Sequence, residues 1–209
     1  MQTYFWELTA DKIALLTASG LLGVALAFVI VLPLSKLFGK KRTTLTLYAV
    51  TLLGIVAPVI LRLLGLFPDN DSPLLVPLLF AFMTIVAMAV VTASILVASM
   101  VADVTDQILL KTGRQSEGLL FSATTFVGKT VSGMGVLVSG LILTLVGFPE
   151  DANPGVVDIS IVHNLAFWFA LATLVFTSMA LIIMSFYPVS EDDHRFAVEE
   201  NARQRAAKG

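Results

Sequence analysis

The sequence contains no cysteine, which excludes disulfide bonds, thiolate metal sites and a cysteine nucleophile. Charge is also scarce: 13% of the 209 residues are charged, about half the fraction that is usual in a soluble domain. Neither a GxxxxGK[ST] phosphate loop nor an HExxH zinc motif is present, so an ATP-driven pump and a zinc protease are not expected. The few basic residues form no nucleic-acid patch, and we expect neither an enzyme nor a nucleic-acid partner.

The sequence is rich in long hydrophobic segments. Hydrophobic residues make up 57% of the chain, and the mean hydropathy is +0.91. Five runs exceed the roughly 20 residues needed to cross about 30 Å of hydrocarbon, and only helices satisfy their own backbone hydrogen bonds in lipid. The sequence therefore predicts an all-α polytopic membrane protein, with a transmembrane bundle over residues 1–187 and a polar cytoplasmic tail over 188–209. The predicted spans are residues 13–34, 43–66, 74–101, 119–146 and 159–186.

The placement of basic residues predicts the orientation of the chain in the bilayer. Ten of the thirteen Lys and Arg residues lie in the tail and in the segments after spans one and three, whereas the two other loops carry acids and no bases. Basic loops stay on the cytoplasmic side. We therefore expect an outside N-terminus and a cytoplasmic C-terminus, in a bacterial-type inner (plasma) membrane. Five spans in this orientation indicate a piece of a longer protein, with Tyr4 and Trp6 in an outer aromatic belt.

Lys129 is the most informative polar residue, because it interrupts an apolar span. It lies twelve residues beyond Glu117, about 18 Å along a helix, where a lysine costs roughly 2.5–3.5 kcal/mol to insert. Ser122, Thr125 and Ser132 share its helical face. Lys129 is either a structural lysine paired with a carboxylate on another helix or part of a solute or ion path, and we favour the path. No acid of this chain lies at its depth, so a carboxylate partner would belong to another part of the molecule.

Other polar and small residues in the spans can be explained without a solute path. Hydroxyls in span three, such as Thr84 and Thr92, either face a path or bond to their own helix at i−4. Small residues spaced by four in span four predict close helix packing; they are Gly128, Ser132, Gly135 and Ser139. Arg62 and His163 are expected to reach the membrane interface and bind nothing.

Three stretches resemble a transporter family. "PLSKLFGKKR" is similar to a degenerate form of the loop signature of the major facilitator superfamily. "MVADVTDQILLKTGRQSEGLLFS" resembles the segment between the tenth and eleventh helices of the glycoside–pentoside–hexuronide:cation symporters, the group that contains melibiose permeases. The lysine of "TTFVGK" falls where that family carries its intramembrane lysine. The resemblance implies two six-helix bundles, in which these five spans are helices eight to twelve.

The resemblance also implies roles for individual residues. The cytoplasmic gating network would be Asp103, Asp106, Lys111, Arg114, Glu117, Lys40, Lys41 and Arg42. Lys129 would lie near the central cavity, in the solute or ion path. The spacing of polar residues in the spans adds Thr125, Ser122, Ser132, Thr92 and Ser94 to that path. Ser94 stands where melibiose permeases carry a sugar-facing tryptophan, so this chain departs from their galactoside-binding pattern.

The expected function is that of the C-terminal part of a secondary active transporter. It would move a small polar solute, a sugar or glycoside, together with Na⁺ or H⁺ by alternating access. Its partners would be the bilayer and the N-terminal half of the same transporter, which would hold most of the ion site; no other cofactor is expected. Two alternatives stay open: a lysolipid or other organic-solute carrier of the same fold, and a truncated, non-transporting membrane protein that serves as an assembly partner.

Overall fold

The computed structural model describes residues 1–113, 116–154 and 156–186. Five helices and no strand are found in these residues, which confirms the all-α prediction. Each helix is long and apolar enough to cross a membrane. The helices are α1 (Ala10–Phe38), α2 (Lys40–Leu63), α3 (Leu75–Thr112), α4 (Glu117–Leu145) and α5 (Ile159–Ser185).

Helix α3 continues well past the predicted end of its span at Val101. Apolar residues such as Val104 and Ile108 alternate there with Asp103 and Asp106, so the helical pattern does not stop where the acids begin. The helix ends at Gly113, which adopts the left-handed conformation (φ 68°), and its N–H donates to the carbonyl of Leu109 at 2.8 Å. The acids of this segment therefore lie on a helix and not in a loop.

Helix α3 is the centre of the bundle and packs along both α1 and α2, while α5 packs against α2. Two glycines bring these helices close together. A Cβ at Gly23 of α1 would lie 2.6 Å from both the Cβ of Ala87 and the carbonyl oxygen of Thr84. A Cβ at Gly54 of α2 would lie 2.5 Å from a methyl group of Val86. The absence of a side chain at both glycines permits these crossings.

The bundle has two ends, which we name after their basic residues. The Lys40 end is where α1 ends and α2 begins, and the Arg62 end is where α2 ends and α3 begins. Residues 1–8 cover the Arg62 end. Trp6 is only 5% exposed and contacts Phe5 edge to face and Phe67 at a tilt, with ring centroids 4.8 and 5.5 Å apart. The expectation that Trp6 lies in a membrane-interface belt is therefore wrong, because these rings bury it inside the protein.

Helix α4 lies apart from the packed bundle. It contains no buried residue and makes only marginal contact with α3 and α5. No atom lies within 4 Å of a Cβ placed at Gly128 or Gly135. The small residues of α4 thus make no close helix contact within the described part of the chain, contrary to the prediction from their spacing.

Helix α5 starts at a capping residue on the Arg62 end. The carboxylate of Asp158 accepts a hydrogen bond from the N–H of Ser160 at 2.8 Å. Hydrogen bonding from Ser160, by its side chain and then its backbone, lowers the pKa of Asp158. This cap stabilises the first turn of α5, which directly precedes His163.

Candidate solute path and gating residues

Lys129 lies near the middle of α4, about 18 Å from Glu117 and about 24 Å from Leu145 along the helix axis. Its side chain is exposed, as are those of Ser122, Thr125 and Ser132. No ion pair within the described ranges includes Lys129. The structure therefore presents the predicted polar face on a helix that no other described helix covers.

Two hydroxyls on this face are satisfied within the helix, and Lys129 is the one charged group of the face. Ser122 donates to the carbonyl of Leu119 and Thr125 donates to that of Phe121, each at 2.9 Å. These bonds remove the cost of placing a hydroxyl in an apolar medium. A lysine ammonium has no such option within its own helix, so Lys129 requires water or a polar partner beside α4.

The two predicted path residues of α3 lie on different sides of that helix. Thr92 is fully buried in the bundle and donates to the carbonyl of Met88 at 2.7 Å. Ser94 is exposed and donates to the carbonyl of Val90 at 2.8 Å. Positions two residues apart point in nearly opposite directions on a helix. A path along this bundle can therefore pass Ser94, whereas Thr92 faces the packed interior.

The Lys40 end contains a two-point ion pair between predicted gating residues. The ammonium of Lys40 lies 2.9 Å from Oδ1 and 2.7 Å from Oδ2 of Asp103. The Asp103 side chain is 9% exposed and that of Lys40 is 26% exposed. Charge-assisted hydrogen bonds of this length are among the strong polar contacts in proteins. The pair joins the first turn of α2 to α3.

Of the other predicted gating residues, Arg42, Asp106, Lys111 and Glu117 form no ion pair in the part of the chain that the structure describes. Asp106 is half-buried one turn beyond Asp103, and Lys41 is half-buried next to Lys40. Arg114 lies outside the described residues. The exposed members at this end are Arg42, Lys111 and Glu117.

The sequence did not reveal a polar network at the Arg62 end. The Arg62 guanidinium pairs with Asp69 and also donates to the side-chain oxygen of Asn70 at 3.4 Å. The Asn70 amide in turn donates to Glu7 at 2.9 Å and to the carbonyl of Phe5 at 3.4 Å. Arg62 is thus held by the protein and does not simply reach the interface. The "DND" seven residues after it is the signal that could have indicated this.

A family model described as MFS/sugar transport protein matches residues 1–191 of the chain. No curated protein and no solved structure matches it.

Proposed function

The chain belongs to the MFS/sugar transport protein family and is thus a membrane transporter of the major facilitator type, and we propose that it moves a sugar or glycoside together with Na⁺ or H⁺. In this proposal the chain supplies most of the second bundle of a two-bundle transporter. The first bundle is its partner and holds most of the ion site.

The observation that carries the proposal is Lys129 on the uncovered face of α4. A lysine facing hydrocarbon near the bilayer centre costs roughly 2.5–3.5 kcal/mol, so lipid is a poor neighbour for this face. The four other described helices leave α4 uncovered. A wet cavity between this face and a second bundle removes that cost and makes a route for a polar solute.

The mechanism that follows is alternating access around a site near the membrane midplane. Lys129 would couple solute to ion by exchanging carboxylate partners between the two states. The Lys40 end would be cytoplasmic and the Arg62 end external, in a bacterial-type inner membrane, since the basic loops lie at the Lys40 end.

The two sets of charges at the Lys40 end would have different roles in that motion. The Lys40–Asp103 pair joins two helices of one bundle, so it would keep α2 and α3 together while the bundle rocks. Arg42, Asp106 and Glu117 make no ion pair among the described residues and would bind the opposite bundle in one state.

Substitution of Lys129 tests the proposal. In cells that produce the natural full-length protein, Lys129→Leu should lower gradient-driven sugar uptake at least about tenfold, a barrier change of about 1.4 kcal/mol. Uptake of labelled sugars is measured with an imposed Na⁺ or H⁺ gradient, and surface expression is measured in parallel.

Val127→Leu is the matched control, because it introduces the same residue on the opposite side of α4 and should leave uptake unchanged. Normal coupled uptake by Lys129→Leu at equal expression would refute the proposed role of the lysine.

One observation favours a second cargo class, an amphiphile such as a lysolipid. A groove of about 510 Å³ runs between α4 and α5 and is lined almost entirely by apolar side chains, including Leu141, Trp168 and Phe176. An acyl chain suits such a surface better than a sugar does. Competition between a lysolipid and the sugars for uptake into liposomes separates the two cargo classes.

A further inference from the structure

A pocket of about 200 Å³ opens at the Arg62 end, away from the polar face of α4. Three separate segments form it: the N-terminal residues, the end of α2 with the connection to α3, and the start of α5 with the residue before its cap. Its polar lining consists of Tyr4, Glu7, Arg62, Asn70 and His163. The polar network of this end therefore surrounds a space large enough for a small solute.

Several hydrogen-bonding groups of the pocket remain available. Arg62 uses two of its five N–H donors, on Asp69 and Asn70. Glu7 accepts from Asn70 through one carboxylate oxygen, and its other oxygen has no partner among the described residues. His163 is exposed and takes part in no hydrogen bond among the described residues. Donors and acceptors thus face the same small volume.

The charge and the rings of the pocket indicate the class of ligand. The charge of Arg62 is compensated by Asp69, so the pocket does not favour an anion over a neutral molecule. Tyr4 and Phe5 add aromatic surface to the lining. Tyr4 is held by Phe148, with ring centroids 5.0 Å apart, and by a hydrogen bond from its hydroxyl to the carbonyl of Ala152 at 3.1 Å.

We propose that this pocket binds one neutral sugar ring at the Arg62 end, as a site distinct from the path beside Lys129. A polyhydroxylated ring presents donors and acceptors around its edge and an apolar face to aromatic side chains. Such a ligand matches the unused groups of Arg62, Glu7 and His163. The choice of ligand rests on the proposed sugar transport, and the site would hold cargo where it enters or leaves the path.

Calorimetry on the purified natural full-length protein in lipid nanodiscs tests the site, with methyl α-D-glucopyranoside and methyl α-D-galactopyranoside as probes. We expect at least one probe to bind and His163→Ala to weaken that binding about fivefold to tenfold, the loss of one hydrogen bond. The control is Asn164→Ala, which alters the neighbouring exposed residue outside the pocket and should leave the affinity unchanged. His163 makes no hydrogen bond in the described part of the chain, so its removal should not unfold the protein, and thermal unfolding of both variants verifies this.

Three results would overturn the site: no binding of either probe, equal affinities in His163→Ala and the parent, or binding that is lost in Lys129→Leu but kept in His163→Ala. Uptake measurements keep this proposal separate from the transport proposal. Sugar binding that depends on His163 but occurs without uptake supports the pocket and counts against transport. If the protein takes up sugar but His163→Ala does not change its affinity for sugar, the pocket proposal is refuted and the transport proposal stands.

Discussion

At the scale of single residues, the polar side chains that have partners in the described part of this apolar chain find them in one of two ways. Hydroxyls in the helices, such as those of Thr84 and Thr92, donate to a carbonyl one turn earlier. Among the described residues, the buried polar side-chain atom without a partner is Oγ1 of Thr51. Charged groups at the bundle ends pair across helices, as Lys40 and Asp103 do. Lys129, near the middle of α4, has neither kind of partner among the described residues.

The Lys40–Asp103 pair should contribute measurably to stability. Asp103→Asn removes the negative charge at constant size and leaves the Lys40 ammonium without its carboxylate. We expect a loss of about 1.5–3 kcal/mol in the free energy of unfolding, because hydrogen bonds to charged groups contribute about this much. Thermal unfolding in detergent measures the change.

Asp106→Asn, one turn further on α3, is the control. Asp106 has no ion pair in the described residues and should tolerate the change with little loss of stability. Equal destabilisation by the two variants would contradict the assigned role of the pair.

At the scale of helices, a glycine permits two helices to approach closely only where it faces a second helix. Gly23 and Gly54 lie at the crossings of α1 and α2 with α3, whereas Gly128 and Gly135 of α4 face open space in the described chain. The spacing pattern in α4 is the more obvious one in the sequence. A small residue permits close approach, but it does not create a partner helix.

Substitutions in α1 should reveal this difference. Gly23→Ala places a methyl group against the backbone of α3 and should lower the free energy of unfolding by about 1–3 kcal/mol. Gly20→Ala, one turn earlier, meets no atom within 4 Å and should be neutral or slightly stabilising, because alanine favours the helix more than glycine does. Detergent stability of the two variants is the measurement, and equal effects would show that α1 does not cross α3 at Gly23.

At the scale of the whole molecule, the two ends of the bundle differ in how they are built. Two-point pairing of Lys40 with Asp103 ties two helices at one end. At the other end, the N-terminal segment is joined through Asn70 to the connection between α2 and α3. The basic loops surround only the Lys40 end, and the proposed orientation depends on this asymmetry.

Labelling of single cysteines tests the orientation directly, since these 209 residues contain no cysteine that would react. Asp71→Cys, exposed at the Arg62 end, should react with a membrane-impermeant maleimide on intact cells. Lys111→Cys, exposed near the C-terminal end of α3, should react only after the cells are permeabilised. The reverse pattern would show that the bundle is inserted the other way round.

The sequence alone determined the helical class, because span length and backbone hydrogen bonding are local properties of each apolar run. It also identified Lys129 as a charge inside an apolar span, because its position along the span follows from counting residues from Glu117. The motif around Asp103 and Glu117 pointed to a transporter superfamily that the family match supports.

Only the tertiary structure decided which side chains meet. The Lys40–Asp103 pair, the Glu7–Asn70 bond and the burial of Trp6 join residues that are far apart in the chain. Hydropathy could not predict them, because in a membrane protein the faces that meet lipid and the faces that meet other helices are equally apolar. For the same reason, the sequence could not show which glycines lie at close helix crossings. The structure places such crossings at Gly23 and Gly54 and none at the α4 glycines Gly128 and Gly135.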